Sequence, residues 1–182
     1  MLMDVGQCQV LIVDVQEKLM PVIHRGDQVI ENCCWLVNLA AELNVPCLMS
    51  EQYPAGLGQT VAKLRQLENH LTVFEKLYFS ACRQSDGRSL LDAGNRKQCL
   101  IAGVEAHVCV LQTALDLQYS GHQVYVVAEA VSSRTPENRE LGLARMIQAG
   151  ITVVSKEMVV FEWLQRAATD DFRRLSKKFI DR

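Results

Sequence analysis

A chain of 182 residues has the length of one ordinary domain and can bury a core without disulfide or metal staples. Its 19 Lys and Arg nearly balance 21 Asp and Glu, so bulk charge offers no polyanion-binding surface and nucleic acid is not an expected partner. The first apolar run, residues 10–13, is too short for a signal peptide or a membrane span, and 7 cysteines without C-x-x-C spacing read as reduced thiols, so a cytoplasmic protein with no membrane partner is expected.

Along the chain, short apolar runs alternate with helix-patterned stretches, the signature of repeated βα units and a parallel sheet covered by helices on both faces. Strands are expected at 9–15, 46–50, 71–74, 98–102, 123–128 and 151–154. Helices are expected at 28–43, 60–67, 89–93, 107–119, 136–149, 156–166 and 169–179. Asn44, Gly121 and Gly150 stand where helices should stop, and Pro136 suits a first turn. No linker, repeat or low-complexity segment divides the sequence, so one domain over 1–182 is expected.

Ligands of such sheets bind beyond the carboxyl ends of the strands, where strand order reverses. The first strand runs into Asp14-Val15-Gln16 instead of a Gly-rich turn, which argues against a dinucleotide, and Gly56-Leu57-Gly58-Gln59-Thr60 lacks the Lys-Ser/Thr ending of a phosphate loop and reads as a plain turn.

Three strand-end residues carry chemistry. Asp14 closes an apolar strand, where a buried carboxylate is costly unless paired or used; the alternative is a capping Asp at a strand-to-loop junction. Lys76 ends the third strand, as a site cation or as a solvated strand-end Lys. Cys109 falls in the first turns of the helix after the fourth strand, where backbone N–H groups and the helix dipole should favour a thiolate; the alternative is a small buried hydrophobe. In a sheet of order 3-2-1-4-5-6 the first and fourth strands are neighbours, so Asp14 and Cys109 would share a crevice with Lys76 approaching from the third strand. A carboxylate that takes and returns the thiol proton, beside an ammonium that favours both anions, makes a working trio. His107 is two residues from Cys109 on a helix and points elsewhere. His24, His70 and His122 have no metal-ligand spacing.

Five segments, Leu11-Ile12-Val13-Asp14-Val15-Gln16-Glu17-Lys18-Leu19, Glu51-Gln52-Tyr53-Pro54-Ala55-Gly56-Leu57-Gly58, Phe74-Glu75-Lys76, Gly103-Val104-Glu105-Ala106-His107-Val108-Cys109-Val110 and Ala130-Val131-Ser132-Ser133-Arg134, occur in that order. Through them the chain resembles the isochorismatase-like (cysteine hydrolase) family over nearly its whole length. The forms at 103–110 and 51–54 look most like those of the isochorismatase domain-containing proteins and their bacterial relatives. The resemblance implies a three-layer α/β/α fold with a six-stranded parallel sheet, an Asp14-Lys76-Cys109 triad, and a cis peptide from Val104 to Glu105 that forms the oxyanion hole. It also implies a homo-oligomer, with a seam on helices near 108–119 or at 161–164. Gln16, Glu51, Tyr53 and Phe79 are the candidate pocket lining, each with loop packing as the alternative. Nicotinamidase-like relatives carry an Asp-x-His and a second His for a metal where this chain has Ser50-Glu51-Gln52-Tyr53-Pro54, so neither metal nor cofactor is expected. Glu105 stands where the family commonly has Thr; it either disfavours anionic substrates or turns to solvent or an Arg.

The implied activity is Cys-dependent hydrolysis of a small-molecule substrate with an amide-like C–N or other activated carbonyl bond. Three readings compete with it: vinyl-ether hydrolysis of an isochorismate-like acid, a non-catalytic oligomeric interaction protein with a vestigial site, and redox sensing by an activated Cys109.

Overall fold

The structure, a computed structural model, describes residues 1–180; residues 181 and 182, the end of the expected 1–182 span, lie outside the described residues. Six parallel strands form one sheet: β1 (Cys8–Val13), β2 (Cys47–Gln52), β3 (Thr72–Lys76), β4 (Gln98–Val104), β5 (Gln123–Ser132) and β6 (Thr152–Val154), in the order β3-β2-β1-β4-β5-β6. The expected order is therefore the observed one. Its switch point lies between β1 and β4, where Val13 pairs with Gly103.

Every residue of β1 and of β4 is buried, as a central parallel strand requires. Side-chain alternation divides them between two cores. Val10 and Ile12 join Leu100, Ala102 and Val104 against α1 (Gly26–Glu42), α7 (Lys156–Leu164) and α8 (Asp170–Phe179). Leu11 and Val13 join Cys99 and Ile101 against α4 (Ser85–Ala93), α5 (Leu111–Tyr119) and α6 (Pro136–Gln148). The helices owe their faces to spacing: Val29, Cys33, Leu36, Val37 and Ala40 recur at three and four residues along α1 and are all buried. Thr135, Ser155 and Thr169 cap α6, α7 and α8 by accepting from Asn138, Met158 and Phe172 N–H. Among the described residues no helix is long and apolar enough to cross a membrane.

Differences from expectation have local causes. The 60–67 helix shrinks to one turn, α3 (Ala62–Arg65), after another single turn, α2 (Pro54–Leu57). The first strand stops at Val13 instead of residue 15 because Asp14 has φ +55°. β5 runs on to Ser132 through a bulge, its pairing jumping from Ile101↔Val126 to Gly103↔Val131. The 107–119 helix opens with a π-helical turn, Ala106–Val110, before α5.

Two glycines bring the site's elements together. A Cβ on Gly103 (φ +126°) would lie 2.1 Å from the Val13 carbonyl oxygen, and one on Gly142 of α6 would lie 2.9 Å from that of Ala106. Gly103→Ala is expected to cost about 3 kcal/mol or more through backbone strain and forced separation of β1 from β4. Urea unfolding reads this directly; an unchanged midpoint would mean that the two strands part without penalty.

Candidate active site

The site is assembled at the carboxyl edge of β1, β2 and β3. Simple alternation would send Asp14 toward α1, like Val10 and Ile12. Its left-handed φ, which costs about 1 kcal/mol in a non-glycine residue, turns the side chain to the opposite face instead. There Ser50 Oγ donates to Oδ1 at 2.7 Å and Lys76 Nζ donates to Oδ2 at 2.7 Å. Asp14 is wholly buried and Lys76 is 1% exposed. Lys76 Nζ also reaches Gln52 Oε1 at 2.6 Å, the Phe79 carbonyl at 3.0 Å and the Tyr78 carbonyl at 3.3 Å. An ammonium out of water is tolerable here because its donors meet four acceptors, one of them charged.

Cys109 completes the group. It lies in the π-helical turn, 5% exposed, on the face that carries Leu11 and Val13. Its thiol stands close enough to Asp14 and Lys76 that both act on its titration. Burial, reinforced by the Asp14 carboxylate, pushes the thiol far up, while Lys76 pulls it down. The expected thiolate at a helix start is thus corrected: desolvation and a neighbouring carboxylate outweigh the dipole. Burial likewise raises Asp14 above the ordinary carboxylate range, against Lys76, Ser50 and the thiol, making it a better proton acceptor. Other thiols are also raised, Cys8 and Cys34 to about 11 and Cys47 to about 12, chiefly by burial. Cys109 differs from them in that the ion pair acting on it, Asp14–Lys76, is fully buried, whereas the Lys63–Glu31 pair that acts on Cys34 is exposed.

The expected cis peptide from Val104 to Glu105 is also corrected. No cis bond occurs among the described residues, and Glu105 takes φ +57° in its place. A trans bond with one left-handed residue makes the turn out of β4 at a smaller cost than the 3 to 4 kcal/mol of a non-proline cis bond. Glu105 turns to an arginine, with Oε1 2.9 Å from Arg134 Nε. Its buried Oε2 has no hydrogen-bond partner among the described residues, although His107 Nδ1 is 3.4 Å away. That nitrogen shares a 3.0 Å hydrogen bond with Ser133 Oγ, so His107 is engaged away from Cys109.

Of the expected lining, Gln16 has another task. Its amide donates to the Gln52 and Gly58 carbonyls at 3.0 and 2.7 Å and accepts from Gln52 N–H at 2.7 Å, bracing the end of β2. Glu51 is spent in part on Thr60, whose N–H and hydroxyl both donate to Oε1 at 2.7 Å. Alternation puts Glu51 on the face opposite Ser50 and Gln52, away from the Cys109 thiol. Tyr53 and Phe79 are both 53% exposed, and it is the Phe79 carbonyl that joins the site. Ser50 and Gln52 were not singled out from the sequence. Their signal was two polar residues at strand positions of one parity, in register with the strand that ends at Lys76.

Among the described residues no three His, Cys, Asp or Glu side chains are grouped to hold a metal ion. The Isochorismatase domain model matches residues 8–158. The chain belongs to the isochorismatase family. Isochorismatase domain-containing protein 2 of Danio rerio is 36% identical over 167 residues, 92% of this chain and 84% of that one. Among solved structures, MAR1 ribonuclease of Caenorhabditis elegans superposes with a TM-score of 0.90 at 32% identity, over 99% of this chain and 92% of that one. The YcaC product of Escherichia coli, described as an octameric hydrolase of unknown specificity, gives 0.88 at 25%, over 98% and 96%. Asp14, Lys76 and Cys109 all fall inside the isochorismatase match.

Proposed function

We propose that this isochorismatase-family chain is a cysteine hydrolase acting on a small amide-like or other activated carbonyl substrate, with Cys109 as nucleophile and Asp14 and Lys76 as its partners. The observation that carries the reading is the fully buried Asp14–Lys76 pair, 2.7 Å apart, set against the Cys109 thiol. At rest the thiol holds its proton. As sulfur attacks the carbonyl carbon, that proton passes to the raised carboxylate of Asp14, and Lys76 Nζ favours the thiolate character that sulfur carries until its bond to carbon forms. The tetrahedral oxyanion needs a donor. Val108 and Val110 N–H both go to the Glu105 carbonyl, so we assign the intervening Cys109 N–H to this task. Asp14 then returns the proton to the departing amine, leaving a thioester on Cys109. Water attacks the thioester, Asp14 takes its proton, and the acid product leaves as the thiol is restored.

Several broader points go with this reading. Seven free cysteines suit a reducing compartment, which supports a cytoplasmic location. The octameric E. coli neighbour supports a homo-oligomer. The test is turnover on a panel of small primary amides, carbamoyl compounds and activated esters, with a short RNA alongside because of the nematode neighbour's name. We expect release of amine and acid from at least one carbonyl substrate and none of the RNA cut. RNA cleavage without carbonyl turnover would overturn the reading.

A further inference from the structure

On the flank of the sheet away from β1, β3 is an edge strand, paired among the described residues only with β2. In a parallel ladder, alternate residues turn their N–H and C=O to opposite sides. The Lys76 carbonyl accepts from Tyr53 N–H, next to the end of β2, so the intervening Val73 and Glu75 present their backbone groups to the free side. Leu77, next in that series, donates its N–H to Gln84 Oε1 at 3.3 Å. A cavity of 1010 Å3 runs along this flank. Its walls come from both faces of the sheet: Glu51, Tyr53, Val73 and Glu75 on one, Asp86 and Leu90 of α4 on the other. An object that touches both faces at an edge lies in the plane of the sheet, where a further strand would lie.

Charge says what kind of strand. Glu51 and Glu75 are register partners on neighbouring strands, so their carboxylates stand side by side on one face, an arrangement that is unfavourable unless a cation joins them. Asp86 adds a third acid, and among the described residues none of the three has an ion-pair partner. Among the described residues the one cation of the lining, Lys76, is spent on Asp14. Val73, Tyr53 and Leu77, 43%, 53% and 70% exposed, supply apolar surface beside the acids. A second copy fits badly, because pairing β3 with itself about a two-fold would press these acids against their own images. We propose that the free edge of β3 binds an extended basic segment of another protein as a seventh strand. Backbone bonds to Val73 and Glu75 hold it, Lys or Arg side chains meet Glu51 and Glu75, and the alternate side chains lie toward Leu90.

The inference does not depend on Cys109 chemistry. Its probe is a fluorescein-labelled peptide of about ten residues alternating Lys and Val, read by fluorescence anisotropy on the full chain. We expect saturable binding of this peptide and none of its Glu-for-Lys counterpart. N-methylation of alternate amides should abolish binding in one frame and spare it in the other. Glu75→Lys and Asp86→Lys, both at exposed positions, should each weaken affinity about tenfold, one ionic contact's worth, and Cys109→Ala should not. Equal binding of both N-methylated frames would reduce the effect to charge adhesion. No saturation below about 1 mM would leave the acids as guards against edge aggregation. Self-association promoted by Glu75→Lys would assign the edge to a second copy. Any of these three results overturns the proposal.

Discussion

Cys109→Ala should lower kcat/KM on an amide-like substrate by about three orders of magnitude or more, since without a nucleophile only binding and charge stabilisation remain. The fold should tolerate the change. Cys109 packs beside Leu11 and Val13, and deleting one buried sulfur costs on the order of 1 kcal/mol, which thermal unfolding can check. Asp14→Asn should lose activity to a similar degree, because among the described residues Asp14 is the carboxylate that acts on the thiol. The pair of variants separates the competing chemistries. A vinyl-ether hydrolase driven by proton donation would survive loss of Cys109 but not of Asp14. A vestigial site would register neither change, and a redox sensor would form sulfenic acid at Cys109 without turnover.

Lys76→Met should be the most destabilising single change at the site, by about 3 to 5 kcal/mol near neutral pH. Removing the ammonium strands the buried Asp14 carboxylate and deprives Gln52 Oε1 and the Tyr78 and Phe79 carbonyls of their donor. The penalty should depend on pH with a definite sign. Burial already raises Asp14 in the parent, and losing the cation raises it further. A carboxyl group raised in the folded state contributes stability below its unfolded pKa and loses it as pH climbs through the folded one. The variant should therefore close part of its deficit as pH falls toward the acid range and fall furthest behind the parent at alkaline pH. Chemical denaturation across that range measures it; a deficit independent of pH would place the cost in lost packing instead of the stranded charge.

Much of this was readable because strand ends in a βα repeat are constrained positions. Asp14 follows the first strand, Lys76 ends the third and Cys109 lies in the turn after the fourth, and a doubly wound order brings the first and fourth strands together. Gly103 was visible as part of a motif, but its need to lack a Cβ against Val13 was not, since that depends on how closely two backbones approach. Neither was the isomer of the Val104–Glu105 bond, because the same residues make the turn with a cis bond or with a left-handed residue. The direction of the Cys109 shift was misjudged for a related reason. Helix position is local, whereas desolvation and the reach of Asp14 are set by tertiary packing. Gln16 shows the same limit: as a polar residue in the loop after β1 it suits a pocket, and only the fold shows its amide engaged with Gln52 and Gly58.

Mass spectrometry of the rapidly quenched protein during turnover of an activated ester tests Cys109 as nucleophile most directly. An acyl group on the peptide that contains Cys109, absent from Cys109→Ala and from Asp14→Asn, is the predicted result. Full turnover with no acyl adduct on Cys109, or an adduct on another of the seven cysteines, would contradict it.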